Sequence, residues 1–295
     1  MTIHETDLAG FIDLHAHTNA SDGSLTPGEL IAMACGAGLS ALAITDHETF
    51  AGLEAARSAA GECNLDLVRG IELNTSVAIP NGLGRRTLHL LAYFPAGEPS
   101  RSFLEWIALQ QEQRRERNRN LAERLRQQGV QITLAEVEER GRSIAGRPHF
   151  ARILVDRGYA TDIADAFRRF IGEGAPAFVQ RTSPSTKEAI EVVRLGGGVP
   201  VVAHPVRLSL AKRQEERKLI EGLKEAGLAG LEVVHSDQPI ELQEYYRQVA
   251  RELDLLPTGG SDFHGLPKPK IQLGRGIADN VRVPLEYLQR LREMA

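Results

Sequence analysis

In "FIDLHAHTNASDGSLTPGEL", residues 11–30, Asp13, His15 and His17 occupy alternate positions of an apolar run, and Asp22-Gly23 follows closely. Residues two apart on a strand point to the same side, so His15 and His17 project together. Two adjacent imidazoles suit a shared metal ion; the alternative is a pair of surface histidines at a strand edge. Six further stretches place similar groups. "AITDH" ends on Asp46 and His47, "VRGIEL" carries Glu72, "TLHLLAY" carries His89, and "VVAHP" carries His204. "LEVVH" ends on His235, and "TGGSDFH" holds Asp262 and His264. His89 is the weakest member, because it lies inside its run, where a buried structural histidine would look the same.

Imidazole and carboxylate without thiolate suit Mn²⁺, Zn²⁺ or Fe²⁺, whereas Mg²⁺ alone would prefer more oxygen. So many donors exceed one ion's coordination sphere, so two or three divalent ions are implied. Ions sharing a carboxylate suit phosphate-ester hydrolysis, because they generate hydroxide near neutral pH and stabilise the attacking and leaving oxygens.

Elements must bring these residues together. Short apolar runs predict strands at 11–15, 41–45, 67–73, 88–93, 199–203, 231–234 and 256–259. Amphipathic segments predict helices at 27–37, 49–60, 186–195, 214–226 and 240–253. "SLTPGEL" opens the first helix with Thr26 as N-cap, Pro27 at the first position and Glu29 three residues after the cap. Such alternation argues for parallel strands in an α/β barrel or sheet. Each strand then delivers a His, Asp or Glu at or near its C-terminal end, where functional residues of parallel α/β folds collect. Seven strands leave ordinary eight-stranded closure open. Between residues 100 and 179 no strand is evident. Helical patterns there carry many arginines, including Arg140, Arg142, Arg147 and Arg152 in an acid-free run, so the stretch reads as a helical insertion.

Composition excludes several classes. Hydrophobic residues make up 42% and charged residues 25% of the 295-residue chain, which is ordinary for a globular protein. No run approaches the roughly 20 apolar residues needed to span a bilayer. The N-terminus lacks a secretion signal, and Cys35 and Cys63 form neither a metal spacing nor a disulfide framework. A cytoplasmic location without membrane partners is expected. Net charge of −4 argues against general duplex-DNA binding but leaves room for a local basic site.

"DLHAHTNASDG", "AITDH", "GIE", "LHLLAY", "AHP" and "GSDFH" resemble, in order, the signature motifs of the PHP (polymerase and histidinol phosphatase) family. The resemblance covers roughly residues 10–95 and 186–280. It implies a distorted (β/α)7 barrel, formed by residues 1–98 and 186–295, with an inserted helical cap at 99–185. It also implies that His15, His17, Glu72 and Asp262 hold one ion. Glu72 would bridge to a second held with His89 and His204, while Asp22, His47 and His264 would hold a third. Mn²⁺ is the favoured metal, and Asp13 and Asp46 would orient the ligand histidines.

The insertion and the phrase "HTNASDGSLTPGEL" further resemble the nucleoside-3′,5′-bisphosphate phosphatases related to ribonuclease AM. That implies release of a 3′-phosphate from small nucleotides, with short RNA as a further substrate. In "GRPHFAR", Pro148 suits a helix start, so Arg147 and His149 would flank an anion-favouring N-terminus. Arg147 is either a phosphate clamp or a solvated charge at the helix cap. Arg207 in "AHPVR" is another phosphate candidate, whereas Arg114, Arg115, Arg117 and Arg119 read as a solvated helix face. His235 is a candidate general acid, a substrate contact, or a neutral residue lining the mouth. A histidinol-phosphate phosphatase and a non-enzymatic accessory module are the competing readings; the basic insertion disfavours the first, and the complete ligand set the second.

Overall fold

The computed structural model describes residues 10–79, 84–141, 145–180 and 183–294. The chain opens with β1 (Phe11–Ala16), α1 (Pro27–Gly36), β2 (Ala41–Ile44), α2 (Ala51–Glu62), β3 (Asp66–Ala78) and β4 (Arg85–Tyr93). The capping box at α1 forms as expected: Glu29 N–H donates to Thr26 Oγ1, and Thr26 N–H donates to the Glu29 carboxylate at 2.7 Å. Helices α3 (Arg101–Gln127), α4 (Leu134–Gly141), α5 (Arg147–Asp156) and α6 (Ile163–Ala166) follow, with a π-helical turn at Phe167–Ile171. The chain then returns through α7 (Thr186–Leu195), β5 (Val199–Val202), α8 (Arg213–Glu225), β6 (Gly230–His235), α9 (Ile240–Glu252) and β7 (Leu256–Gly260). It ends with β8 (Val283–Pro284) and α10 (Leu285–Glu293).

The strands form one sheet in the order β7-β6-β5-β4-β3-β2-β1-β8. All seven expected strands are present, with two corrections. First, the sheet has an eighth strand: Val283–Pro284 pairs antiparallel with the start of β1, and two residues are too few to show periodicity. Second, not every strand is parallel. β4 runs antiparallel to both β3 and β5, because it follows β3 as a hairpin without a crossover helix. His89 therefore sits midway along a reversed strand. Its carbonyl accepts the Ala203 N–H, which puts it level with His204 at the C-terminal end of β5.

Backbone bonds across β1 and the end of β7 nearly close the barrel. Asp262 N–H donates to His15 O at 2.8 Å, and His17 N–H donates to Phe263 O at 2.9 Å. The seam is organised by Asp13, whose carboxylate accepts from the backbone N–H groups of His15, Ser261 and Gly274 and from the Ser261 hydroxyl. Asp13 thus orients strands, not the imidazoles it was expected to orient. Gly260 is required for this approach, since a Cβ there would collide with the His15 backbone nitrogen and lie 2.7 Å from Asp13 Oδ1.

The chain divides into two compact units, Met1–Leu104 with Pro184–Ala295, and Glu105–Ser183. In the first, Leu30, Ile31 and Ala34 of α1 and Leu53 and Ala56 of α2 pack on Leu42 and Ile44 of β2. In the second, Leu121, Leu125, Val137, Phe150, Leu154 and Ile171 form a separate core. Arg142 lies outside the described residues. Cys35 and Cys63, which gave no pairing signal, are joined as a disulfide with Cα atoms 6.2 Å apart. The two helices bring together cysteines whose spacing along the chain carries no such information. No described helix is long and apolar enough to cross a membrane.

Gly260→Ala should destabilise the barrel by about 1–3 kcal/mol, the usual cost of overpacking. Thermal denaturation checks this; an unchanged midpoint would mean that the β1–β7 seam is looser than described.

Candidate metal centre

Glu72, near the middle of β3, is 1% exposed and touches five imidazoles. Its Oε1 lies 2.8 Å from His89 Nδ1 and 2.9 Å from His204 Nε2. Its Oε2 lies 3.2 Å from both His17 Nε2 and His47 Nδ1. Asp262 Oδ1 faces the same space, 3.5 Å from His15 Nε2 and 3.3 Å from His17 Nε2.

Four donor atoms set tetrahedrally at about 2.1 Å from a common centre are separated by about 3.4 Å. His15, His17, Glu72 and Asp262 have this spacing, and the His15 and His17 Nε2 atoms are buried without a hydrogen-bond partner. Such orphaned nitrogens are costly unless something else occupies the space, so the residues fit a divalent cation. Asp22, His47 and His264 also converge: His264 Nε2 is 3.2 Å and His47 Nε2 3.7 Å from the Asp22 carboxylate, with His17 beside them. His47 and His89 come within reach of one ion beside Glu72, and His204 touches the same Glu72 oxygen as His89. All nine expected donors therefore line one cluster.

The charge balance supports a cation. Burial would raise the carboxyls of Glu72 and Asp262, but the surrounding histidines, with Lys268 beside Asp262, hold both well below the usual range. Burial opposes a charge on His17, yet Asp262, Glu72 and Asp22 outweigh it and raise its pKa to about 9. His15 is likewise raised, by Glu232, Glu72 and Asp262 against burial. His47 goes the other way, lowered to about 4 by burial. Burial, reinforced by the Arg207 charge, also lowers His204.

Other candidate residues sit elsewhere than expected. Asp46 bonds Thr18 N–H, the Thr18 hydroxyl and the Ser21 hydroxyl, so it reaches His17 only through Ser21, whose oxygen is 3.4 Å from His17 Nδ1. The carboxylate that orients His15 is Glu232 of β6, 2.8 Å from His15 Nδ1 and also bonded to the His204 N–H. A lone Glu in the apolar run "LEVVH" was the overlooked signal. His235 does not line the mouth. It is fully buried, accepts the Asp237 N–H through Nδ1, and points Nε2 at Asp262 Oδ2 from 3.5 Å. Its Nε2 is buried without a hydrogen-bond partner. Arg207 bonds Asp262 and Asp237. Lys268, also overlooked, bonds Asp262.

In the second unit, Arg147 is partly buried and is not paired with a carboxylate among the described residues; its guanidinium lies over the Phe167 and Phe178 rings, at 5.8 and 5.7 Å. His149 accepts the Gly146 N–H through Nδ1 at 3.1 Å and so caps its own helix. Arg115 and Arg119 lie on an exposed face, paired with Glu138 and Glu116, whereas Arg117 is buried.

Metal ligation needs neutral imidazoles, and the surrounding carboxylates raise the pKa of His15 and, to about 9, that of His17, against burial. Binding must therefore release protons, so affinity should tighten as pH rises toward about 9, by about tenfold per unit for each proton displaced. Competition against a chelating dye checks this, and a pH-independent affinity would contradict it. Glu72→Gln should lower bound-metal stoichiometry more than His264→Asn, as read by elemental analysis.

A family model described as PHP domain matches residues 13–177. The chain is 33% identical over 266 residues to a 5′-3′ exoribonuclease of Haemophilus influenzae, covering 90% of this chain and 93% of that protein. It is 32% identical over 257 residues to a 3′,5′-nucleoside bisphosphate phosphatase of Chromobacterium violaceum, covering 86% and 87%. A solved structure from Bifidobacterium adolescentis, provisionally designated a metal-dependent phosphoesterase, matches with a TM-score of 0.74 and 33% identity, covering 95% of this chain and 94% of that one. The ordered motifs, the histidine–carboxylate cluster and a match spanning more than half of the chain agree: the protein belongs to the PHP domain family.

Proposed function

We propose that the protein is a metal-dependent phosphomonoesterase that removes the 3′-phosphate from nucleoside 3′,5′-bisphosphates and also acts on short RNA. The observation that carries this reading is the Glu72 cluster, which offers donor sets for two or three ions around one shared carboxylate. His15, His17, Glu72 and Asp262 would hold one ion, Glu72, His89 and His204 a second, and Asp22, His47 and His264 a third. Histidine and carboxylate donors favour Mn²⁺ over a purely oxygen-seeking ion. When bound, the ions would lower the pKa of a water and polarise the phosphate ester.

The protein's own groups supply orientation and charge. Glu232 holds His15 by Nδ1 and His204 by its backbone, leaving the Nε2 of each ring toward Glu72. His235 points Nε2 at the second oxygen of Asp262 from 3.5 Å. A hydrolytic centre treats phosphate esters much alike, so selectivity must come from contacts remote from the reacting phosphorus. Arg147, at the start of α5, together with His149, is our candidate grip for the non-reacting 5′-phosphate. Its support is a guanidinium held by aromatic faces beside backbone N–H groups that favour anions. The kinship with an exoribonuclease and a nucleoside bisphosphate phosphatase points to the same substrate class.

Phosphate release from a panel of phosphorylated metabolites, with 3′,5′-bisphosphates and short 5′-phosphorylated RNA included, tests the reading. Chelation should abolish turnover and Mn²⁺ should restore it best; hydrolysis that survives exhaustive metal removal would refute it. Arg147→Ala should lower kcat/KM for a 3′,5′-bisphosphate by roughly 10- to 100-fold, the value of a lost charge-assisted contact of about 1.5–3 kcal/mol. A 3′-monophosphate should be barely affected. Equal losses on both substrates would make Arg147 structural.

A further inference from the structure

Asp262 divides its two oxygens between different partners. Oδ1 faces His15, His17 and His264 at 3.3–3.5 Å. Oδ2 takes Arg207 Nη2 and Lys268 Nζ, each at 2.7 Å. Two full positive charges thus converge on one oxygen of a carboxylate that is 1% exposed, while Arg207 and Lys268 are themselves 35% and 30% exposed. Arg207 also bonds the exposed Asp237, so the pair of cations is shared between two carboxylates, and both cations remain partly open to solvent. Beside bound divalent ions the same pair would raise the positive potential further. An anion that meets both the ions and the two side chains is drawn by that potential.

Lys268 is held for such a role by a built turn. Its N–H donates to Gly265 O, and its carbonyl accepts from Ile271 N–H, both at 3.0 Å. The turn is tied to the loop carrying Asp22, because Leu266 N–H donates to Ser24 Oγ and Ser24 N–H donates to His264 O. Gly265 has φ +69°, and a Cβ there would run into Ser24 Oγ. Pro267 and Pro269 stiffen the backbone on both sides of the lysine.

We propose that Lys268, together with Arg207, grips the phosphate group that is hydrolysed, with Asp262 Oδ2 as the placeholder that positions both cations; the inference rests on the phosphomonoesterase reading above. Arg207 offers a planar fork and Lys268 a mobile point charge, a combination suited to one terminal phosphate edge and a third oxygen.

The test is calorimetric titration of the metal-loaded protein with inorganic phosphate, alongside metal analysis and steady-state kinetics on the 3′,5′-bisphosphate. Lys268→Met should weaken phosphate binding by roughly 10- to 100-fold, with metal content unchanged. Lys268→Gln, which keeps a donor toward Asp262 but loses the charge, should behave like the methionine variant. Lys268→Arg should stay within about threefold of the parent protein, since charge and donor are both retained. Unaltered phosphate affinity in the methionine and glutamine variants would overturn the proposal. Loss of metal from those variants would also overturn it, because Lys268 would then serve Asp262 alone. Lysine-dependent phosphate binding without turnover on any ester would uphold the clamp and refute the phosphatase reading; turnover with no dependence on Lys268 would do the reverse.

Discussion

The structure depends on keeping a carboxylate charged in the dry interior of a barrel. Glu72 has almost no contact with water, and Asp13, Glu232 and Asp262 lie buried close by. Each would be prohibitively costly to ionise there without compensation. For Asp13 the compensation comes from backbone N–H groups and the Ser261 hydroxyl; for Glu72 and Asp262 it comes largely from imidazoles, whose titration is split. His15 and His17, which face Asp262 as well as Glu72, are raised, while His47 and His204 are pushed down. The carboxylate field that raises His15 and His17 is the same field that would favour a divalent ion.

Delivering so many side chains to one point requires unusual backbone. His204 has φ +27° and Asp262 φ +57°, while Glu48, next to His47, has φ +54°. These non-glycine residues occupy a region that disfavours side chains by roughly 1–2 kcal/mol each. All three stand where a strand gives way to the site, so the strain is concentrated where side-chain direction matters. The reversed β4 serves the same end: reversal brings the middle of that strand level with the C-terminal end of β5, and His89 joins the cluster from there.

The second unit obeys different physics. Its core is helical and apolar, and several of its arginines are engaged by neighbours: Arg115 by Glu138, Arg140 by Asp156, Arg157 by Glu136. Exposed pairs of this kind contribute little stability, so they serve mainly to balance charge. Arg147 is different because aromatic faces hold its guanidinium and, among the described residues, no carboxylate pairs with it. A basic run in a sequence does not distinguish these cases.

The sequence by itself determined which residues form the cluster. Alternation places His15 and His17 on one face of a strand, and strand–helix rhythm sends Glu72, His204 and Asp262 toward one end of a barrel, because period and chain direction are local properties. The capping box of α1 was legible for the same reason. Partnership was not. Glu232 looks like any buried-strand residue until β6 lies between β5 and β7 and its side chain meets His15 of β1, and Lys268 looks like a surface lysine until its turn folds back on Asp262. Residue type leaves His235 open between a general acid, a substrate contact and a neutral mouth residue, and makes Asp13 a ring-orienting acid; only the fold shows that His235 is fully buried and that Asp13 binds backbone N–H groups across a strand seam. The direction of β4 and the two-residue β8 depend on pairing between distant segments, and so does the bridge between Cys35 and Cys63. Local pattern encodes which way a side chain points; what it meets there is decided only when remote strands close around it.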